Sequence, residues 1–353
     1  MKKILVIRFS SIGDIVLTTP VIRCLKNQLQ EVEIHVLTKK KFSNLYKTNP
    51  YINKVYEFDD SLKKNIEELK IEHYDYVVDL QKNKRSVRVT RALGRPHASF
   101  PKLNFRKFLL STFKINIMPD IHIVDRYFKA VEKLGVKNDY QGLDFFISEK
   151  NNYDISQLPE NFQKGYYAFV IGGTYKTKIL PAVKIVEIIK KINKAVVLLG
   201  GPDDVERAEE IIYGVNSQQS TDDRHRSQDS SSNSQILRFS DSQILNLVGK
   251  INLEQSASIV KNADSVLTND TGLMHIAAAF HKNIVSVWGN TVPELGMYPY
   301  LPKEKEKCHI VECKDVRCRP CSKLGFKECP KKHFRCMMEI DVERVVELMK
   351  NEF

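Results

Sequence analysis

The first 150 residues alternate between short aliphatic runs and longer segments with apolar positions at helical spacing. The run KKILVIRF, residues 2–9, predicts a strand because aliphatic and β-branched side chains dominate it. From Ile15 to about Leu29, apolar residues recur every three or four positions, which predicts a helix. EIHVLT (33–38), KVYEFD (54–59) and YDYVVDL (74–80) predict further strands, each separated from the last by a helix-like segment. This alternation favours a parallel sheet wound by helical crossovers.

The same pattern starts again after a polar stretch near residues 148–165. The apolar runs YYAFVIGG, AVVLLGG, ADSVLTN and NIVSVWG predict four more strands, and three of them end in glycine. The chain is therefore predicted to be an α/β protein of two domains, residues 1–160 and 161–340, with a helix at 341–353. In open parallel sheets, ligands bind outside the carboxyl ends of the strands. Those ends carry most of the unusual residues of this sequence.

Residues 216–235, NSQQSTDDRHRSQDSSSNSQ, form a low-complexity stretch that is nearly devoid of apolar side chains. Such a stretch cannot offset the entropy lost on ordering by burying apolar surface. It is predicted to be a disordered surface insertion with no chemical role; the alternative is a regulated loop.

The composition is that of a globular protein, with 42% apolar and 28% charged residues among 353. A net charge of +12 is compatible with nucleic acid, an anionic membrane surface or phosphorylated substrates. The basic residues are scattered and no nucleic-acid-binding motif is present, so a solvated lysine-rich surface is the plain alternative. The start lacks a signal-peptide pattern, and no run approaches the roughly 20 apolar residues that span a bilayer. A soluble, cytoplasmic protein is expected.

The stretch SSIGD, residues 10–14, joins the first predicted strand to the first helix. Gly13 permits a tight turn and a close approach of the backbone. Asp14 is open to two interpretations, a helix cap or a general base at the edge of a cleft. The G-x-G-x-x-G dinucleotide fingerprint is absent after this strand.

The stretch TNDTGLMHIAAA, residues 268–279, places an acid, a threonine and a glycine where a strand gives way to a helix. A helix beginning at Thr271 would present unpaired N–H groups and partial positive charge to a diphosphate. Gly272 would remove a side chain that holds the phosphate away. Asp270 fits there if it caps the helix, or pairs with a lysine or a sugar hydroxyl. His275 is a candidate hydrogen-bond donor; the alternative is a purely structural helix.

The stretch GGTYKTKILP, residues 172–181, follows another predicted strand. Thr174 offers a hydroxyl, and Lys176 and Lys178 offer positive charge. A lysine here could neutralise a leaving diphosphate, or it could simply be solvated. LLGGPDD, residues 198–204, is a weaker signal, with carboxylates that could hold a ribose.

Six of the seven cysteines lie near the end of the chain, together with His333. Cys318 and Cys321 form a C-x-x-C pair, which with Cys329 and Cys336 could supply four thiolates for zinc. The second pair is separated by six residues rather than two, and the C-x-x-C lies in a late loop, unlike a redox motif that opens a helix. Free structural thiols, structural zinc and a disulfide all stay open.

Together these motifs resemble glycosyltransferase family 9, the ADP-heptose:lipopolysaccharide heptosyltransferases. The matching stretches are ILVIRFSSIGDIVLTTPVIRCLK, GGTYKTKILP, LVGKINLEQSASIVKNADSVLTNDTGLMHIAAAF, VWGNTVP and CRPCSKLGFKECPKKHFRCM. They cover most of the chain in the family's order, and the combination of SSIGD with NDTGLMHIAAA is specific. The resemblance implies a GT-B fold, two Rossmann-like domains facing each other across a cleft. It also implies that the helix at 341–353 packs back on the first domain.

The resemblance implies roles for individual residues as well. Asp14 would be the base that takes a proton from the acceptor hydroxyl, and Lys178 would meet the donor diphosphate. The implied donor-binding residues are Gly13, Thr174, Asp270, Thr271, Gly272, Leu273, Met274 and His275. The implied acceptor-side residues are Ser10, Ser11 and Arg126, the last within HIVDRY. The chain departs from the family pattern after Lys178, where Ile179-Leu180-Pro181 replaces an aromatic residue and proline, and in the 216–235 insertion.

The activity implied is a metal-independent, inverting transfer of a sugar without a cofactor. The expected donor is a nucleotide-diphosphate sugar, ADP-heptose, and the expected acceptor is lipopolysaccharide core or a related glycolipid. The net charge fits a phosphorylated lipid acceptor at the anionic inner face of the membrane, with no nucleic-acid partner. The chain is expected to be a monomer, peripheral to that membrane. Two alternatives remain: a sugar-nucleotide epimerase or hydrolase with the same cleft, and a non-catalytic nucleotide-sugar-binding protein.

Overall fold

The architecture is seen in a computed structural model that describes residues 1–59, 61–217 and 243–351. These residues form two parallel sheets, one of five strands and one of six, each covered by helices. The predicted α/β architecture is confirmed. Among the described helices, none has the length and hydropathy of a membrane span.

The first sheet is built around its first strand. Its strands are β1 Lys2–Ile7, β2 Val32–Lys39, β3 Lys54–Phe58, β4 Tyr76–Asp79 and β5 His97–Ser99. They lie in the order β3-β2-β1-β4-β5, with all neighbours parallel. Ile4 and Val6 of β1 face one hydrophobic layer, and Leu5 and Ile7 face the other. Burial on both faces explains why β1 is a continuous apolar run rather than an alternating one.

The second sheet repeats this doubly wound plan. Its strands are β6 Tyr167–Val170, β7 Val196–Leu199, β8 Ile244–Asn246, β9 Ser265–Asn269, β10 Asn283–Trp288 and β11 Cys308–Glu312. Their order is β11-β10-β9-β6-β7-β8. The winding reverses between β6 and β9, as it does between β1 and β4 in the first sheet. Such reversals open a crevice at the carboxyl ends of the strands.

The helices cover both faces of the two sheets. They are α1 Ile12–Val16, α2 Thr19–Gln28, α3 Asn44–Lys47, α4 Lys63–Ile71, α5 Lys84–Leu93, α6 Asn104–Phe108, α7 Ile123–Tyr127, α8 Glu160–Gln163, α9 Ala182–Lys191, α10 Val205–Ser217, α11 Leu253–Asn262, α12 Gly272–Ala279, α13 Arg335–Met338 and α14 Val342–Lys350. The helix predicted from Ile15 to Leu29 is two helices, α1 and α2. Pro20 lies in the first turn of α2, the one part of a helix where a missing N–H costs nothing.

The two domains share a continuous hydrophobic core. Ile15 and Val16 of α1 belong to the same buried cluster as Ile276 and Ala277 of α12. The first helix of the first domain therefore packs directly on a helix of the second domain.

The C-terminal helix α14 was expected to pack on the first domain, whereas its described residues pack on the second. It packs against α9 and strands β9, β10 and β11 of the second domain. Its buried Val345 and Leu348 share a core cluster with Val285 of β10. An amphipathic sequence specifies an apolar face, but here the sheet nearest in the chain supplies the surface that covers it.

The segment before the predicted boundary at residue 160 already belongs to the second domain by packing. The backbone N–H of Ser148 donates to Glu254 at 2.9 Å, and that of Tyr153 donates to the Ser258 hydroxyl at 2.9 Å. The chain thus crosses between the domains before residue 148. Of the predicted insertion at 216–235, the first two residues end α10, and residues 218–235 lie outside the described ranges.

Candidate active site

The loops that follow β1, β6 and β9 meet where the two domains touch. A Cβ atom on Gly272 would lie 2.8 Å from Ile12 Cγ2, and one on Gly13 would lie 2.6 Å from His275 Cδ2. Both distances are shorter than a side chain tolerates, so only glycine allows this approach. The structure shows that Gly272 makes room for the first domain; that it also makes room for a phosphate stays a prediction. The contact places SSIGD directly against TNDTG.

Asp14 is held by two neighbours within the first domain. Its Oδ2 accepts hydrogen bonds from the Ser11 backbone N–H at 3.2 Å and the Ser11 hydroxyl at 2.9 Å. Its Oδ1 lies 2.6 Å from Arg8 Nη2, and 24% of the side chain remains exposed. Ser11 is the residue that precedes α1, whereas Asp14 lies in the first turn of the helix. The N-cap residue is therefore Ser11, and Asp14 takes part in the cap from the first turn, because its carboxylate accepts the Ser11 N–H in a capping box.

Opposing effects act on the pKa of the Asp14 carboxyl. Burial favours the neutral acid and raises the pKa, while the Arg8 guanidinium and the two Ser11 hydrogen bonds lower it. The lowering prevails, so the pKa lies below its ordinary value and the group is a carboxylate at neutral pH. The Asp14 carboxylate can therefore accept a proton from a bound ligand.

Arg8, which sequence analysis did not single out, organises this half of the site. Its Nη1 donates to the Leu80 carbonyl at 2.6 Å and to the Tyr127 hydroxyl at 3.2 Å, and its Nε donates to the Ser10 carbonyl at 2.9 Å. The only signal was a charge at the end of an otherwise apolar strand. The two predicted acceptor-side serines thus serve first to hold Arg8 and Asp14.

In the second domain, helix α12 begins without a side-chain cap. Thr271 precedes it in an extended conformation, with φ −138° and ψ 175°, and makes no capping hydrogen bond. Asp270 instead accepts from Lys178 Nζ at 2.5 Å and from the Thr291 hydroxyl at 3.0 Å. Of the interpretations of Asp270, the structure shows the pairing with a lysine. The first N–H groups of α12 and the paired Lys178 lie at the same strand ends.

A second residue that sequence analysis missed, Asn269, fixes the loop that carries Lys178. Its Oδ1 accepts from the Leu180 N–H at 3.0 Å, and its Nδ2 donates to the carbonyls of Val170 and Gly172, each at 3.2 Å. The buried amide thereby ties the end of β9 to the end of β6. The Asn269 hydrogen bonds fix the backbone on both sides of Lys178, and the ion pair with Asp270 fixes its side chain.

His275 lies where the two halves meet. It is almost fully buried, and its Nδ1 has no partner among the described residues. Burial lowers the pKa of its imidazole to about 4, although Asp270 and Asp14 both act to raise it. The ring lies against the SSIGD turn, since a Cβ on Gly13 would be 2.6 Å from its Cδ2. At neutral pH it is an uncharged ring that can donate or accept one hydrogen bond.

Some of the other residues predicted to bind the donor are buried in the core, and others are exposed at the strand ends. Met274 is fully buried and Leu273 packs against the same core cluster, so their side chains stabilise the fold and only their backbone N–H groups can face a ligand. Thr174 is exposed after β6. Asp204, from LLGGPDD, lies over the ends of β6 and β7, because a Cβ on Gly172 would be 2.0 Å from its Oδ2.

Two further cations lie close to each other, the buried Arg126 and the half-buried Lys107. Arg126 donates from Nη2 to the Leu295 carbonyl at 3.1 Å, while its Nε and Nη1 have no partner among the described residues. Lys107, which the sequence did not indicate, has its pKa lowered to about 8, mainly by burial and further by Arg126; Asp14 opposes this. A buried guanidinium without a carboxylate is unfavourable unless an anion completes it.

The cysteine-rich segment adjoins this site. All seven cysteines are free thiols, and Cys318 Sγ lies 3.7 Å from His333 Nε2. Among the described residues, no group of three or more histidine, cysteine or acidic side chains is arranged to hold a metal ion. Burial, and the neighbouring Cys318, raise the pKa of the Cys321 thiol to about 12.

Comparison with known proteins gives a consistent picture. The sequence pattern of glycosyltransferase family 9 (heptosyltransferase) matches residues 62–327. Lipopolysaccharide heptosyltransferase 1 of Campylobacter coli is 26% identical over 318 residues, which is 82% of this chain and 84% of that protein. The structure of E. coli ADP-heptose LPS heptosyltransferase II is similar with a TM-score of 0.68 at 21% identity, over 99% of this chain and 97% of that one. An E. coli heptosyltransferase determined with ADP has a TM-score of 0.60 at 20% identity, over 87% and 92%. The two-domain architecture is thus the GT-B fold.

The contact between the domains leads to a first prediction. Gly272→Ala would place a methyl group 2.8 Å from Ile12, so we expect the free energy of unfolding of the full chain to fall by about 1–3 kcal/mol. The matched control is Gly201→Ala, whose added Cβ would meet nothing closer than Asp204 Oδ2 at 3.8 Å. Denaturant unfolding measures both. Equal stabilities for the two variants would show that the domains do not touch at Gly272.

Proposed function

The chain belongs to glycosyltransferase family 9, and from this premise we propose that it transfers heptose from ADP-heptose to a lipopolysaccharide-core acceptor, with Asp14 as the base. Family membership confirms the predicted class, a glycosyltransferase. The heptosyltransferase names of its relatives support heptose as the sugar, and the similar fold determined with ADP supports the nucleotide. One observation carries the proposal. Gly13, the neighbour of Asp14, approaches Gly272 at the uncapped start of α12, and Lys178 pairs with Asp270 just before that start.

The second domain would bind the donor through its diphosphate. The first N–H groups of α12 carry the positive end of the helix dipole, which favours a negatively charged ligand. Lys178 adds a positive charge and is oriented by its ion pair with Asp270, whose carboxylate also accepts a hydrogen bond from the Thr291 hydroxyl. Charge that develops on the departing diphosphate would therefore be stabilised by groups that are already in place.

The first domain would bring the acceptor to this donor. The acceptor hydroxyl oxygen forms a bond to the anomeric carbon while the bond from that carbon to the diphosphate oxygen breaks. Asp14 takes the hydroxyl proton, and ADP leaves with the electron pair of the broken bond. Attack from the face opposite the leaving group inverts the anomeric centre. Packing of the domains around the reacting groups would exclude water, which otherwise hydrolyses the donor.

The lowered pKa of Asp14 suits this role in a particular way. Arg8 and Ser11 keep the carboxylate ionised and fix its orientation. A carboxylate is a weak base toward a free alcohol, so the proton moves only as the new bond makes the hydroxyl acidic. The ion pair with Arg8 thus provides a proton acceptor that is available at every physiological pH.

The half-buried Lys107 and the buried Arg126 support an anionic acceptor. Lys107 lies near both Asp14 and Arg126, and Arg126 has two guanidinium nitrogens free of partners among the described residues. A phosphate or carboxylate on the acceptor would accept hydrogen bonds from Arg126 and balance the charge of both cations. We therefore propose a phosphorylated glycolipid as acceptor and the cytoplasmic face of the inner membrane as the place of reaction; a monomeric state stays a prediction.

Replacing Asp14 tests the base directly. We expect Asp14→Asn to lower kcat for sugar transfer by about 10²- to 10⁴-fold, because the amide cannot take the proton. The Kd for ADP, measured by calorimetry, should change by less than about threefold, since the diphosphate is bound by the other domain. Asp59→Asn, at an exposed carboxylate of the same domain, is the control. Near-normal turnover by Asp14→Asn would remove this residue as the base.

The pKa of Lys107 predicts a pH dependence of acceptor binding. The ammonium is charged below a pKa of about 8 and neutral above it. The KM for an anionic acceptor should therefore rise by about tenfold between pH 7 and pH 9.5, while Asp14 stays ionised throughout. Lys107→Arg should keep a low KM over the whole range, and Lys107→Met a high one. A wild-type KM that does not change with pH would exclude Lys107 from the acceptor site.

A further inference from the structure

One segment of the first domain turns apolar side chains toward solvent. It comprises α6 and the π-helical turn Leu109–Phe113 that continues it. Phe105, Phe108 and Phe113 are 70%, 51% and 59% exposed, and three isoleucines that follow are about half exposed. We call these six residues the apolar band: Phe105, Phe108, Phe113, Ile115, Ile117 and Ile121. Contiguous apolar surface of this kind marks an interaction site more often than scattered single residues do.

Packing of the buried face of this segment keeps its phenylalanines oriented toward solvent. Phe105 and Phe108 are three residues apart on one helix face, and the rings of Phe108 and Phe113 contact at 5.7 Å between centroids. On the opposite face, Leu110 is buried in a cluster with Val292 and Leu295 of the second domain. The segment is therefore amphipathic, and its exposed face is a stable feature of the packing.

A loop of the second domain, residues 320–327, adjoins the apolar band. Lys114 Nζ donates to the Pro320 carbonyl at 2.6 Å, which joins the segment to this loop. The loop exposes Leu324 and Phe326, so half of the exposed large hydrophobic side chains in the described residues lie in this region. Phe326 also exchanges hydrogen bonds with Thr177, the neighbour of Lys178. The band thus borders the entrance to the proposed active site.

The charges of this region are almost all positive. Residues 101–121 contain four cations and one acid, Asp120. Arg106 is exposed between the phenylalanines, and Lys323 and Lys327 flank Leu324 and Phe326 on the adjoining loop. Aromatic side chains interleaved with lysine and arginine suit the interface of an anionic bilayer. Two copies of the same positive surface would repel each other, which disfavours self-association through the band.

We propose that the apolar band is a membrane-docking surface, whose phenylalanines enter the interfacial layer of an anionic bilayer while its cations contact lipid phosphates. Docking there would turn the entrance of the cleft toward a lipid-anchored acceptor. The benefit of docking rests on the proposed function, but the docking itself can be measured without donor or acceptor.

The test is co-sedimentation of the full chain with vesicles. Wild type should bind vesicles of phosphatidylethanolamine and phosphatidylglycerol, bind phosphatidylcholine vesicles weakly, and lose affinity at high salt. The combined variant Phe105→Ser, Phe108→Ser, Phe113→Ser should lower the partition coefficient by about tenfold or more. The matched control combines Ile71→Ser and Tyr213→Ser, which remove side chains of 75% and 74% exposure elsewhere, and should bind as wild type does.

Three outcomes would overturn the proposal. Wild type could fail to bind the anionic vesicles, or the phenylalanine variant could bind them as wild type does. Sedimentation velocity could instead show a wild-type dimer that the variant abolishes, which would assign the band to a second copy of the chain.

A further measurement separates docking from catalysis and from folding. Transfer to a soluble acceptor without acyl chains should proceed at the wild-type rate in the phenylalanine variant, because the three exposed rings are not among the groups proposed to bind donor or acceptor. Transfer to acceptor embedded in vesicles should fall with the partition coefficient. If wild type binds vesicles as expected but transfers no sugar to either acceptor, the proposed function fails while the docking surface stands.

Discussion

The site depends on one contact, the approach of the amino ends of α1 and α12 across the two domains. Two glycines, Gly13 and Gly272, allow it, since a Cβ on either would overlap the other domain. The positive ends of two helices would repel at such a distance. Each end carries a carboxylate, and each carboxylate is paired with a cation, Asp14 with Arg8 and Asp270 with Lys178. Because each carboxylate is paired with a cation, the two ion pairs have no net charge, and the partial positive charge of the first N–H groups of α12 is available to an anion.

This arrangement explains why the chemistry requires both domains. The proposed proton acceptor belongs to the first sheet and the proposed anion site to the second, so neither domain alone holds a complete site. The polar residues that fix each half, Arg8 and Asn269, donate to backbone carbonyls at the ends of neighbouring strands. Rigid strand ends therefore position the reacting groups, and the neutral, buried His275 packs against Gly13 at the contact between the domains.

Prediction from sequence succeeded where burial imposes a local pattern. The strands buried on both faces, such as β6 and β7, are apolar runs and were all anticipated. The short edge strands β5, β8 and β11 were missed because their residues are mostly half-exposed and leave no comparable run. The start of α1 was placed too late, and its length was overestimated, because Ser11 precedes the helix and Pro20 begins the next one.

The site itself was only partly predictable, because its contacts join distant parts of the chain. The sequence indicated Asp14, Lys178 and Asp270, since each follows a predicted strand. It gave no sign of Lys107, whose position near Asp14 and Arg126 depends on how distant segments of the first domain pack. The amphipathic pattern of α14 defined an apolar face but not the sheet that covers it. The activity came from family resemblance, and the family match confirms it.

A crystal structure of the chain with ADP would test the central claim most directly. The account predicts diphosphate oxygens within hydrogen-bond distance of the first N–H groups of α12 and of Lys178 Nζ, with the Asp14 carboxylate facing them across the contact between Gly13 and Gly272. A diphosphate bound away from α12, or an Asp14 side chain screened from the nucleotide by its own domain, would contradict it.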